Sequence, residues 1–169
     1  MKQVFARLAL IALVAVIAVP SNSQAQGLKI GPHVGLNMDG TDLFLGVATQ
    51  FNLPVSERTM WGNIGMDFYP FIKNVTTTRV NADVLFPFGI GGLELYGGGG
   101  LLAQFSTFDL PAGSPLDKND TDIGLNLKAG FLLGSSADGY RPYAEVDQTI
   151  GAGSDFSVRV GIFMAIGGR

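Results

Sequence analysis

Between residues 26 and 169 apolar side chains recur at every second position, and the ionised ones fall on the positions between them. Successive side chains of an extended strand point to opposite faces, so this alternation describes strands with one apolar and one polar face; a helical repeat of 3.6 does not fit it. Eight such stretches stand out, at about 28–37, 43–53, 60–71, 78–88, 93–106, 122–134, 140–150 and 156–167. Most of the segments between them are turn-rich and of hairpin length, so sequential neighbours are expected to pair antiparallel. No segment reads as a helix.

Splitting each stretch into its two faces sharpens the pattern. In the last one Phe156, Val158, Val160, Ile162, Met164 and Ile166 oppose Ser157, Arg159, Gly161 and Ala165, with Phe163 the large exception. The fourth sets Val80, Ala82, Val84, Phe86 and Phe88 against Arg79, Asn81, Asp83 and Leu85, and the first sets Leu28, Ile30, Val34 and Leu36 against Lys29, Gly31, His33, Gly35 and Asn37. Lys29, Asp67, Arg79, Asp83, Glu94, Asp122, Lys128, Arg141, Glu145, Asp147 and Arg159 all lie on polar faces, and the apolar faces hold no charge.

The first residues bear on compartment. Lys2 and Arg7 give a short basic start, 8–19 is an unbroken apolar run too short to span a bilayer, and Ser23 and Ala25 supply small residues at the usual peptidase positions. We read residues 1–25 as a cleaved signal peptide and 26–169 as one barrel domain. Once Lys2 and Arg7 leave, nine basic residues face fourteen acidic ones, which disfavours a nucleic-acid partner. With no cysteine, no disulfide framework can staple an exported fold.

Alternation alone leaves two architectures open: a soluble lipocalin-like barrel turns its charged face to water, whereas a membrane barrel turns it inward. Three features favour the second. Charged residues make up 15% of the chain against roughly 25% in ordinary soluble domains. The polar faces are crowded with small residues such as Gly31, Gly35, Gly46, Gly65, Gly98, Gly100, Gly130 and Gly161, as a narrow lumen requires, and their five basic and six acidic residues nearly balance. Aromatic rings gather near strand ends, at Phe44, Phe51, Trp61, Phe68, Tyr69, Phe71, Phe86, Phe88, Phe105, Tyr140 and Phe156, where a membrane barrel carries its girdles. The expected fold is therefore all-β, an eight-stranded antiparallel up-and-down transmembrane barrel. Pro32 fits least well, because it forfeits a ladder hydrogen bond where a closed barrel has no edge, and a local bulge is the expected remedy.

An exported chain, eight alternating strands and a C-terminal strand with an apolar face resemble the small outer-membrane barrels of the OmpA/OmpX and opacity-protein type. The resemblance implies a bacterial outer-membrane location, outer-membrane lipid and the barrel-assembly machinery as partners, and a longest loop, Thr107 to Thr121, facing outward toward a surface ligand. Members commonly end in an aromatic residue; here the chain ends Phe163-Met164-Ala165-Ile166-Gly167-Gly168-Arg169.

Eight strands leave an interior just wide enough for side chains, so an open porin is not expected. Lys29, Arg79, Lys128, Arg141 and Arg159 are instead expected to pair with Asp67, Asp83, Glu94, Glu145 and Asp147, as buried charges must. His33, the single histidine, reads as a structural lumen residue. A lipid A-modifying enzyme using it as a base stays open as a third reading, behind a surface or structural barrel and a soluble carrier of an apolar ligand. No cofactor or zinc site is expected from one histidine and no cysteine. The Asp117 to Asp122 run is oxygen-rich but lacks the glycine and terminal Glu of a calcium loop, so it reads as a solvated segment.

Overall fold

All eight alternating stretches form strands: β1 (Lys29–Asn37), β2 (Asp42–Leu53), β3 (Met60–Tyr69), β4 (Val75–Ile90), β5 (Leu93–Phe108), β6 (Asn119–Leu132), β7 (Tyr140–Ile150) and β8 (Phe156–Ala165). The computed structural model describes residues 27–53, 59–72, 74–90, 93–110, 119–134 and 139–166. The expected signal peptide, 1–25, lies outside the described residues, as do Asp117 and Lys118 of the oxygen-rich run.

Each strand pairs antiparallel with the next, and β1 closes the ring against β8 from Lys29↔Ala165 to Asn37↔Ser157. Closure leaves no edge strand, and the strict two-residue period then fixes which side chains look inward. No outward strand position carries Asp, Glu, Lys or Arg. Outward Leu127 and Ile123 are 55% and 75% exposed, whereas inward Lys128 and Arg159 are 4% and 5% exposed. The apolar face is the outside of this barrel, the reverse of a carrier whose cavity is lined by apolar side chains.

Pro32 needs no bulge. The β1–β8 register is the same on both sides of it, at Ile30↔Met164 and His33↔Gly161, and only Gly31 and Pro32 drop out of the ladder. On its other side Pro32 stays in step with Val47.

Three rings expected at the girdle turn inward instead: Phe44, Trp61 and Tyr69 are buried. Phe51, Phe68, Phe86, Phe88, Phe105, Tyr140 and Phe156 lie on the outward face, and Phe71 is exposed just beyond β3. The buried rings have glycine to thank for their room. Phe44 stands across the ladder from Gly35, Tyr96 from Gly130 and Tyr143 from Gly161, and a Cβ on any of these glycines would strike the ring. Cross-strand pairs of a large and a null side chain thus fill the lumen without overpacking it.

The four-glycine run of β5 has a different cause. A methyl at Gly98 would meet the Val84 carbonyl oxygen and, at 2.9 Å, the Leu85 Cα; one at Gly100 would meet the Ala82 carbonyl oxygen and, at 2.6 Å, the Asp83 Cα. The β4 backbone therefore presses against β5 here, as it does at a tightly curved corner of a barrel. Gly97 is free of this, its nearest contact being the Lys128 carbonyl oxygen at 3.7 Å. Gly98→Ala and Gly100→Ala should each sharply lower the yield of folded barrel on refolding, scored by heat-modifiable gel migration, while Gly97→Ala refolds like the parent. Equal yields from all three would remove the corner from this account.

Candidate functional site

The inward faces build three layers along the axis. At the end that carries the β1–β2, β3–β4 and β7–β8 turns, Arg79 of β4 pairs with Asp155, using Nη2 and, at 3.0 Å, Nη1. Its Nη1 also donates to the Tyr69 hydroxyl at 2.9 Å and its Nε to Gln104 Oε1 at 2.7 Å, while the guanidinium lies 4.9 Å from the centre of the Tyr69 ring. Asp155 reaches inward because Gly151 (φ 103°) and Gly153 (φ 63°) take left-handed conformations in the β7–β8 turn. Asn37 Nδ2 donates to the same carboxylate at 2.8 Å, so the turn is tied down from two strands.

The middle layer holds most of the ions. Arg159 of β8 reaches Asp147 at 3.2 Å, Glu145 at 3.3 Å and Asp67 at 3.4 Å. Lys128 of β6 lies 2.9 Å from Asp83, 3.6 Å from Glu145 and 3.7 Å from Asp147. His33 joins Asp67 to Tyr143, with Nε2 2.6 Å from Asp67 Oδ1 and Nδ1 3.0 Å from the Tyr143 hydroxyl. Tyr96 donates to Glu145 at 3.0 Å. Every one of these side chains is buried. Charges removed from water are tolerated only with partners, and here two cations are each shared among three carboxylates.

Toward the chain termini the interior turns apolar. Trp61, Leu85, Tyr96, Leu132 and Phe163 form a buried cluster with Ala48 and Tyr143, in which Tyr143 and Phe163 stack at 4.4 Å between ring centres. At this mouth Arg141 pairs with the half-exposed Glu94 and donates to the Gly134 carbonyl at 3.1 Å. Lys29 donates to Gln50 at 3.1 Å and sits 5.2 Å from the Trp61 ring centre.

The eleven residues singled out in the sequence all face the lumen, but their partners differ from the expected ones in two cases. Arg79 takes Asp155, which the sequence places in a turn, and Lys29 takes an amide and an indole. Tyr96 and Tyr143 carry no signal in the local pattern beyond the parity they share with Glu94, Arg141 and Glu145, and Tyr69, expected at the girdle, joins them inside. Both ring nitrogens of His33 are engaged by buried groups. Among the described residues no group of three or more His, Cys, Asp or Glu is placed to hold a metal ion.

No model of a known protein family matches the chain, and no curated protein matches its sequence. Solved structures do match. The N-terminal β-barrel domain of Pseudomonas aeruginosa OprF superposes with a TM-score of 0.63 at 16% identity, over 81% of this chain and 95% of that one. Neisserial surface protein A gives 0.52 at 12% identity, over 82% and 94%. A de novo designed transmembrane β-barrel gives 0.51 at 19% identity, again over 82% and 94%. The chain has the fold of these small barrels.

Removing one partner from a buried ion network leaves the others unpaired. Arg159→Met should destabilise the barrel by about 3–5 kcal/mol in urea titration. Asp120→Asn, at the exposed end of β6, should cost about 0.5 kcal/mol or less. Similar losses for the two would argue against a central load on Arg159.

Proposed function

We propose that the chain is a bacterial outer-membrane protein, exported by removal of residues 1–25, whose barrel spans the bilayer around a sealed ionic interior and serves a structural or cell-surface role. The observation that carries this is the outer surface, a belt of Leu, Val, Ile, Phe and Met around all eight strands without one ionised side chain. A bilayer core offers no hydrogen bonds to the backbone, so a closed ladder with an apolar exterior is one of the two architectures that can cross it. The same surface would be a large aggregation liability in water.

The interior favours a plug over an open pore. Arg79 and Asp155 occupy one mouth, the Lys128 and Arg159 network fills the middle, and the Trp61–Leu132–Phe163 cluster closes the other end. A lipid-modifying enzyme needs a base that acyl chains or headgroups can reach, whereas His33 is turned to the axis and held by Asp67 and Tyr143. A soluble carrier lines its interior with apolar side chains, whereas Asp67, Asp83, Lys128, Glu145, Asp147 and Arg159 occupy the interior here.

For a surface role the β5–β6 hairpin is the natural contact. Its ladder runs on to Thr107↔Asn119, while β6 joins β7 only from Leu125, so the hairpin stands beyond the rim at the end opposite the chain termini. The 107–121 segment at its tip would then meet a partner outside the cell, with lipid and the barrel-assembly machinery as the partners of biogenesis.

Cell fractionation should recover the protein with outer membranes, in a form whose gel mobility shifts on heating, and recovery in the soluble periplasm without detergent would overturn the reading. Leu127→Arg, on the outward face, should cost about 2–4 kcal/mol when unfolding is measured in lipid vesicles. A neutral effect there would mean that hydrocarbon does not cover this face.

A further inference from the structure

Above the closed part of the barrel, β6 has a partner on one side only. It pairs with β5 without a break out to Thr107↔Asn119, whereas its ladder with β7 begins at Leu125↔Ile150. The β7–β8 turn that follows reaches no further than the neighbourhood of Gly124, where Ala152 N would lie 2.7 Å from a Cβ. Residues 119–123 therefore form a strand edge, with no partner among the described residues. Alternation says which backbone groups lie on it. Leu133 N–H donates to the Pro142 carbonyl at 2.8 Å, so odd-numbered residues of β6 turn their N–H and C=O toward the β7 side and even-numbered ones toward β5. Asn119, Thr121 and Ile123 accordingly present theirs to the edge. The Thr121 N–H agrees with this direction, because it bonds the neighbouring Asp120 carboxylate, at 2.9 Å, in place of a strand.

A second one-sided stretch lies at the opposite mouth, where β4 runs on with β5 to Ile90 but with β3 stops at Leu85. Pro87 interrupts it, so it offers no continuous row of donors. The β6 stretch holds no proline, lysine or arginine. Its side chains alternate, with Asp120 and Asp122 on one face and Thr121 and Ile123 on the other, and Ile123 is 75% exposed. Residues 107–122 carry Asp109, Asp117, Asp120 and Asp122 against the single Lys118. A second copy would bring the same charge to the same edge, which opposes self-pairing.

We propose that this edge takes up an extended polypeptide segment with Lys or Arg at every second position, which adds to β6 as a further strand. The backbone of the segment pairs with Asn119, Thr121 and Ile123, and its arrival frees the Asp120 carboxylate from the Thr121 N–H to meet a cation. Basic side chains then fall beside Asp120 and Asp122, and the ones between them beside Thr121 and Ile123. Such a partner is met only outside the cell, so the assignment rests on the surface role proposed for the hairpin.

The test uses the refolded protein in neutral detergent and a fluorescein-labelled peptide of alternating Lys and Thr, followed by fluorescence anisotropy and amide hydrogen exchange. The peptide should bind saturably and slow exchange at Thr121 and Ile123. Its fully N-methylated form, equal in charge but unable to donate, and a peptide of alternating Glu and Thr should each bind about tenfold more weakly or worse. Thr121→Pro, which removes an edge N–H and leaves the β5 side intact, should weaken the Lys peptide to the same degree. Because the parent alone gives the peptide comparison, a variant that fails to fold does not decide the outcome. Equal binding of the N-methylated peptide would reduce the contact to charge attraction and overturn strand addition. So would no saturable binding to the parent, or a dimer cross-linked through Thr121→Cys, which would assign the edge to a second copy. None of these results bears on where the protein resides, which fractionation decides separately.

Discussion

Hydrogen-bond closure between β1 and β8 is the constraint on which the rest of this structure depends. A ladder without ends commits every strand to one register, and a period of two then leaves each side chain a choice of inside or outside only. Slipping one strand by a single residue would carry Arg159 or Lys128 to the outer face and send Val160 or Leu127 into the ionic layer. The charge pattern and the closed ladder therefore enforce each other, which is how a chain without cysteine can specify one fold.

The lumen is filled by alternating bulk and absence. Phe44, Tyr96 and Tyr143 lean over Gly35, Gly130 and Gly161, and the space they leave along the axis is taken by guanidinium, ammonium and carboxylate groups. Such networks add little net stability over apolar packing, because desolvation offsets much of the Coulomb attraction. Their value is in discrimination: an arrangement that strands one ion costs far more than the assembled network gains. Asp155 shows this at the loop end, where a turn residue pins the β7–β8 connection to β4 through Arg79 and to β1 through Asn37.

Strand number, pairing order and the inward direction of the charges were legible in the sequence, since they follow from parity and parity needs no knowledge of distance. Partner choice was not. Arg79 and Asp155 are brought together across the barrel by closure and by a glycine-dependent turn, neither of which local spacing encodes. Nearness to a strand end points Phe44, Trp61 and Tyr69 to the girdle, but parity turns them inward: Tyr69 shares its face with Asp67 and Phe44 with Gly46. Pro32 was expected to force a bulge, yet β1 loses only two ladder positions to β8 and keeps its register. The ends of β4, β5 and β6 run past the alternating stretches because hydrogen bonding continues beyond the apolar belt, through Thr76, Thr107 and Asn119.

The absence of cysteine allows single labels to be placed at will, and neighbouring positions on β6 then report on opposite faces. With a polarity-sensitive fluorophore on Cys introduced at Leu127 or at Asn126, and the protein refolded into vesicles containing brominated acyl chains, emission from the Leu127 site should be blue-shifted and strongly quenched while the Asn126 site is spared. Quenching at Asn126 with a water-like spectrum at Leu127 would contradict the orientation from which everything else here is argued.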